Sequence, residues 1–500
     1  MSPLRSVSVL AFVLPLLFAA RPAGAGPGLP APLPPSAEEI LDAQVDPDVA
    51  YRVTVSSPVP VVPSAGLPGD LALHQSNNNL SIALHHRRLF LAFRTAPTHF
   101  ASAGARLLVL SSADLGGSWT REAEIATGRD LREPFLLEVN GRLQLYFVEL
   151  GVHPWAFEPQ ALWRSARCGD RCWTTPEKWG GPEEVSWDFK VRGGRAWMTS
   201  YLGKHYALRT RAIETHFRSS ADGVDWRDVG GASVHSGGST EASFEFDRAG
   251  ALWAVTRNED GDASGFGSQV VTAPPDRPGA WQFPARSNPS RLDSPRLFRH
   301  GRDIYLVARR DLGPPAGARF ESAPGGLRKL LIWASYSLQP KRTALFRLDP
   351  FVRRFERVVD LPSAGDTAFP SIVRLSPHEF LVANYSSGFR YPDRSWIWGQ
   401  LNGTGIYFVR LRFDPMQPPA TGGTVATTRS PMTREGAVAA SVTPAFDEDW
   451  PGQEYLPRRL TALGVLSLSA VVVVRRRRAP SEARRRQRPS KLPKPPPPSA

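Results

Sequence analysis

Ser112-Ala113-Asp114-Leu115-Gly116-Gly117-Ser118-Trp119 and Ser220-Ala221-Asp222-Gly223-Val224-Asp225-Trp226 spell one pattern twice, SxDxGxxW and a shortened SxDGxxW. Each reads as a tight turn after a strand. A Ser and an Asp two residues apart satisfy backbone groups that the turn leaves free. Gly takes an angle that a Cβ forbids, and Trp pins the turn between sheets. These aspartates are therefore structural, and the surrounding sequence supplies the unit they punctuate.

Working outward, a hairpin recurs six times: an apolar strand, a tight polar turn and a second apolar strand. The hairpins are Leu80 to Phe93 (turn His85-His86), Phe135 to Val148 (Asn140-Gly141), Phe189 to Ser200 (Gly193-Gly194), Phe244 to Thr256 (Ala249-Gly250), Leu297 to Ala308 (His300-Gly301) and Ile372 to Asn384 (Ser376-Pro377). Their turns lie a little over fifty residues apart, the last interval being longer. That regularity excludes a sandwich and fits a blade repeat. With 48 Pro and 42 Gly and few long helical patterns, the expected class is all-β, a six-bladed β-propeller of four-stranded blades over residues 51–415.

The ends read differently. Arg5, the apolar stretch Val7 to Ala20 and Ala23-Gly24-Ala25 form a secretory signal peptide, residues 1–25, so the chain is expected to be exported. Residues 26–50 read as a Pro/Ala-rich linker and 416–459 as a second linker. Leu460 to Val474 is a hydrophobic membrane or sorting segment, shorter than a full bilayer span, and Arg475 to Arg478 open an Arg/Pro-rich tail. That tail, 475–500, carries ten Lys or Arg and one Glu, most of the formal charge of +14. Nucleic-acid binding is excluded on this count, because the propeller itself lacks a concentrated cationic surface. The only cysteines, Cys168 and Cys172, are too few for a structural zinc site and are expected to form a small disulfide in an exported chain. His99, His153 and His205 lack metal-ligand spacing, so neither a metal nor a cofactor is expected. The chain is expected to be a monomer, tied to the membrane only through its C-terminal segment.

In a hairpin the start of the first strand lies beside the end of the second. If all six turns point one way, these positions converge on the opposite face. Strand starts contribute Asn78, Arg132-Glu133, Asp188, Glu241, Asp293 and Asp366; strand ends contribute Arg94, Tyr201, Arg257, Arg309 and Tyr385. Arginines of this kind clamp carboxylates or sulfates, while acids beside them serve as general acid or base. A tyrosine next to a glutamate can act as nucleophile toward an anionic substrate. The competing reading is that these charges merely neutralise one another along the channel.

With these residues in view, the chain over roughly 70–413 resembles the sialidase (neuraminidase) superfamily. The likeness rests on the two SxDxGxxW-type turns, read as Asp boxes, on Thr240-Glu241 leading through Phe244, Phe246 and Gly250 to Arg257, and on Asp366-Thr367-Ala368-Phe369-Pro370-Ser371. It implies that Glu241 partners a nucleophilic tyrosine and that Arg257 is one arm of an arginine triad, with Arg309 or Arg310 a second. The family's Arg-Ile-Pro is replaced by Asn78-Asn79-Leu80, and Phe369 stands where its tyrosine is expected. Arg94 or Arg132 would then supply the missing arm and Tyr385 the nucleophile. The implied activity is an exported, surface-tethered exo-glycosidase acting on a terminal, acidic sugar. Asp293, Asp366 or Glu133 is its acid, Tyr385 with Glu241 attacks the anomeric carbon, and Arg94, Arg132, Arg257, Arg309 and Tyr201 hold the substrate. The alternative is a non-catalytic glycan-binding propeller, a lectin or adhesin.

Overall fold

The computed structural model of the chain describes residues 32–154, 158–204 and 212–416. The signal peptide, the apolar segment 460–474 and the basic tail lie outside the described residues, as does the second linker apart from Met416.

Six antiparallel sheets form the blades of a β-propeller. Blade I holds strands Ser76–His85, Arg88–Ala96, Arg106–Ser112 and Thr120–Ile125. Blade II holds Leu131–Val139, Arg142–Glu149 and Ala161–Gly169, with Cys172–Trp173 and Glu177–Gly180 outermost. In blade III, Glu184–Arg192, Arg195–Leu202 and Ile213–Ser220 are edged by Arg227–Asp228 and His235–Gly237. Blade IV has only three strands, Ser239–Phe246, Leu252–Asp262 and Gly265–Ala273, with two isolated bridges, Ser268 to Asn288 and Thr272 to Gln282, where a fourth was expected. Blade V comprises Asp293–His300, Asp303–Asp311, Lys341–Asp349 and Arg354–Asp360. Blade VI comprises Ser371–Ser376, Glu379–Ser386 and Gly405–Pro415. The innermost strand of each blade touches that of the next, and that of blade VI returns to blade I.

Closure of the ring comes from the beginning of the domain. Tyr51–Val55 and Val59–Val62 both pair with Gly405–Pro415, in registers Tyr51 opposite Pro415 and Val59 opposite Phe408. Both ends of the propeller are thereby tied into one sheet, leaving blade VI no exposed edge at that strand.

Every inner hairpin turns where the sequence marks it. Inner strands alternate with period two, yet both of their faces are apolar because each is sandwiched between neighbouring blades. In blade I, Leu89, Leu91 and Phe93 pack with Leu381, Ala383 and Phe408 of blade VI. Phe90 and Ala92 pack with Leu136, Leu145 and Phe147 of blade II. The Ser112 turn is closed by Ser112 Oγ accepting from the Gly116 amide (2.8 Å) and Asp114 Oδ1 from the Ser118 amide (2.9 Å). Trp119 then packs on Phe408 across the blade boundary. Its counterpart uses Ser220 and Asp222 the same way and sets Trp226 against Tyr146 and Phe189. Cys168 and Cys172 are disulfide-bonded.

Two features depart from the sequence reading. The longer last interval holds a helix, Gly325–Leu338, inserted between the second and third strands of blade V. Part of the stretch read as a linker, residues 32–50, instead packs over the turn end of the channel. There a capping box of Ser36 and Glu39 starts the helix Ala37–Asp42. Leu33 donates its amide to Gly194 O (2.7 Å), and Glu39 accepts from the Gly193 amide (2.8 Å). The buried Asp42 carboxylate lies 2.8 Å from both Arg299 and Arg374, and Glu38 lies 2.7 Å from Arg192. Arginines preceding three inner turns thus find their counter-charges in this helix.

Candidate functional site

At the end of the channel away from the turns the inner strands share a local irregularity. Pairing slips between Asn78 and Leu80, Arg132 and Phe135, Ser186 and Asp188, Thr240 and Ser243, and Asp293 and Arg296. Within four of these bulges a residue other than glycine adopts positive φ: Asn79 (42°), Glu133 (51°), Glu241 (39°) and Ser294 (49°). Ala368 (69°), ahead of the inner strand of blade VI, does the same. A bulge turns a side chain out of the strand's alternation, and left-handed backbone at such residues costs of order 1–3 kcal/mol each. Of the residues predicted from strand starts, Glu133 and Glu241 themselves take this strained backbone.

Glu241 and Arg257 meet as expected: Arg257 Nη1 donates to Glu241 Oε1 (2.5 Å), and the Ser294 amide donates to Oε2 (2.7 Å). Arg257 also donates to Glu259 (2.7 Å) and lies 3.1 Å from Asp293 through Nε. Asp293 is the hub of an arginine cluster, with Arg291 Nε at 3.1 Å and Arg309 Nη2 at 4.0 Å. Although burial opposes ionisation, these three guanidinium groups hold its carboxyl well below the ordinary carboxylate range. Arg309 further donates to the Tyr336 hydroxyl (2.7 Å) and Thr367 O (2.9 Å).

A second cluster centres on Asp130, which accepts from Arg94 Nε (2.8 Å) and Arg132 Nε (2.5 Å). Arg94 is wholly buried and spends its other donors on Asn78 Oδ1 and the carbonyls of Thr98 and Phe100. A third centres on Asp366. Tyr385 Oη (3.0 Å) and Trp396 Nε1 (2.9 Å) donate to its Oδ1, and His99 Nδ1 lies 2.6 Å from its Oδ2. Burial, then Asp366, push the Tyr385 hydroxyl well above its usual range. The expected pairing of Tyr385 with Glu241 is replaced by one with Asp366, which lies on the segment leading into the inner strand of blade VI.

Glu133 differs from the other acids. Its one hydrogen bond is from Asn79 Nδ2 (3.1 Å), and part of its surface reaches solvent. Burial raises its carboxyl, Arg132 lowers it, and the charge of Glu241 raises it again, leaving it at about 7. Tyr201 lies elsewhere, packed with Val185, Trp187 and Phe369 in the apolar cluster between blades. Arg310 turns away to Asp360 (2.6 Å). Asp188 is buried deeper in the channel, 2.5 Å from Arg296. Among the described residues no group of His, Cys, Asp or Glu is arranged to hold a metal ion.

Asp130, Glu259, Arg291, His99, Tyr336 and Trp396 belong to the site without having been expected there. Three of them had a readable signal: Asp130 and Arg132, Arg257 and Glu259, and Arg291 and Asp293 are opposite charges two residues apart, the spacing that puts side chains on one side of a strand. Tyr336 arrives on the inserted helix and Trp396 on the short helix Trp396–Leu401, which no repeat pattern encodes.

No family model matches the chain. No curated protein matches it either. Among solved structures, a protein of unknown function from Dyadobacter fermentans is 14% identical, with a TM-score of 0.49 over 72% of this chain and 99% of that one. A Trypanosoma rangeli sialidase mutant displaying trans-sialidase activity is 14% identical, with a TM-score of 0.46 over 76% of this chain and 59% of that one. Penicillium chrysogenum α-L-arabinanase complexed with arabinobiose is 11% identical, with a TM-score of 0.43 over 71% of this chain and 98% of that one. Likenesses this distant leave the chemistry to the chain's own residues.

Proposed function

We propose that the protein is a glycoside hydrolase that removes a terminal sugar at the end of the propeller channel away from the inner turns. It would be exported by residues 1–25 and tethered at the cell surface by residues 460–474. One observation carries the catalytic reading: Glu133, pushed to about 7, is kept substantially protonated beside Glu241, whose two oxygens are committed to Arg257 and the Ser294 amide. A carboxyl group that can give a proton, beside a second one bound by an arginine, is what glycosidic cleavage uses. Glu133 gives its proton to the leaving oxygen as the bond to the anomeric carbon breaks and its electron pair moves to that oxygen. Glu241 attacks the anomeric carbon itself or deprotonates the water that does. Asp293, kept ionised by three guanidinium groups, is the poorer acid.

A non-catalytic lectin is the rival reading, favoured by how completely the arginines are paired. Release of a fluorophore from a panel of aryl glycosides decides between them. Turnover that disappears in Glu241→Gln supports the hydrolase, whereas glycan binding without turnover, surviving that change, supports the lectin.

A further inference from the structure

We infer that the sugar bound at this site carries no acidic group. The inference rests on the hydrolase reading above but concerns charge rather than reaction. The sialidase resemblance led to the opposite expectation, that free arginines hold a substrate carboxylate. Here the chain provides that carboxylate itself. Arg257, Arg291 and Arg309 converge on Asp293, and Arg94 and Arg132 on Asp130. None of these five arginines is more than 5% exposed. Arg291 keeps one nitrogen without a hydrogen-bond partner, but its guanidinium is buried over the Tyr336 ring, 3.7 Å from the ring centre. Lys341, the remaining cation beside Tyr336, is 2.5 Å from Asp311.

The balance of charge follows from those pairings. Arg94, Arg132, Arg257, Arg291 and Arg309 pair directly with Asp130, Glu241, Glu259 and Asp293, and Asp366 stands next to them through His99, whose carbonyl accepts from Arg132, before Glu133 is counted. An incoming carboxylate would meet no uncompensated cation and would lie near Glu133 and Glu241. It would have to surrender its hydration without a charge partner, which is strongly unfavourable. A neutral sugar has no such penalty. Its hydroxyls can exchange bonds with half-occupied polar groups, and the partly exposed Trp396, edge-on to His99 and Tyr336, offers an aromatic face to sugar C–H groups.

The test uses the wild-type propeller and Asp293→Asn, which removes the charge from the centre of the cluster. Methylumbelliferyl glycosides of neutral pentoses, hexoses and N-acetylhexosamines are compared with the sialoside and glucuronide. The expected result is kcat/KM on a neutral glycoside at least about 100-fold above either acidic one; an acidic glycoside as the best substrate overturns the inference. Absence of all turnover counts against the hydrolase reading alone. Charge preference is then read by ligand-observed NMR with free sialic acid, glucuronic acid and neutral monosaccharides. Binding of a neutral sugar but of neither acid by the wild type, with acid binding gained in Asp293→Asn, supports the inference. Acid binding by the wild type, no binding of any sugar, or a folded Asp293→Asn that still rejects acids, refutes it. If that variant does not fold, the wild-type comparison decides.

Discussion

Replacing Glu133 by Gln separates a catalytic acid from a structural one, because the two roles predict opposite signs for stability. Gln keeps the size and the carbonyl oxygen that accepts from Asn79 Nδ2, but it never ionises. In the folded protein the Glu133 carboxyl titrates at about 7, against an ordinary value of 4.5. A group raised on folding favours the folded state while protonated, and that advantage is lost as pH climbs from 4.5 toward 7 and beyond. Integrated to pH 8, ionising Glu133 costs the fold at most about 3 kcal/mol, and roughly 2 once its solvent contact is allowed for. Urea unfolding should therefore find Glu133→Gln and wild type alike near pH 4, and the variant about 2 kcal/mol more stable at pH 8. On an aryl glycoside with a poor leaving group, kcat should fall by about 100-fold or more. With a dinitrophenyl leaving group, which departs without a proton, most of that loss should vanish. Wild-type activity on the poor leaving group should decline as pH rises through about 7, and the variant's residual activity should not share that limb. A Glu133→Gln protein that is less stable at pH 8, or fully active on both leaving groups, would refute the assignment.

Three further changes probe other links in the structure. Asp42→Asn removes the counter-charge of Arg299 and Arg374 beneath the channel, so it should lower stability by about 3 kcal/mol in urea melts, with little salt dependence because the pair is buried. Gly116→Ala forces a Cβ to φ 107° and to within 2.9 Å of the Phe408 ring, whereas Gly141→Ala, at φ 70° with open space around it, meets only the backbone penalty. The first should cost about 2 kcal/mol more than the second in the same melts. Tyr385→Phe removes one of three partners of Asp366 and should cost about 1 kcal/mol in stability. Its kcat/KM should drop no more than about tenfold; complete inactivation would restore the tyrosine to the nucleophile's role.

What was legible beforehand is what hairpins encode locally. Asn140-Gly141 and Gly193-Gly194 announce turns through their tolerance of positive φ, and a turn fixes the register of its two strands. Asn78 opposite Arg94 and Asp293 opposite Arg309 lie within one residue of that register, the bulges supplying the rest. So does the meeting of Glu241 with Arg257, since Thr240 pairs with Arg257 and the bulge carries the next side chain across. Contacts between blades were not legible, because no local pattern says which charge of one repeat faces which of the next. Asp130 reaches Arg94 from the following blade, and Asp366 gathers His99 from the first. The N-terminal plug was hidden by Pro/Ala composition, although Ser36-x-x-Glu39 is a helix start written in the sequence.

The bulges explain why the charges collect where they do. Around Glu133 the inner strand of blade II has no polar face to spare: Leu131 and Leu136 belong to one interblade cluster, while Phe135 and Leu137 pack in another. A glutamate placed in regular alternation on such a strand would enter one of these apolar layers, where an uncompensated carboxylate is prohibitively costly. The slip after Arg132 breaks the alternation at Glu133, and the slip after Thr240 breaks it at Glu241, so each side chain leaves the layers near the channel. Neither residue is a glycine, so each bulge retains backbone strain that a glycine would relieve. Strain kept at the two positions that bring together a protonated and an arginine-bound carboxyl group is difficult to account for by blade packing alone, since the apolar clusters would close equally well around glycine. It is readily accounted for if those two side chains are the reason the bulges exist.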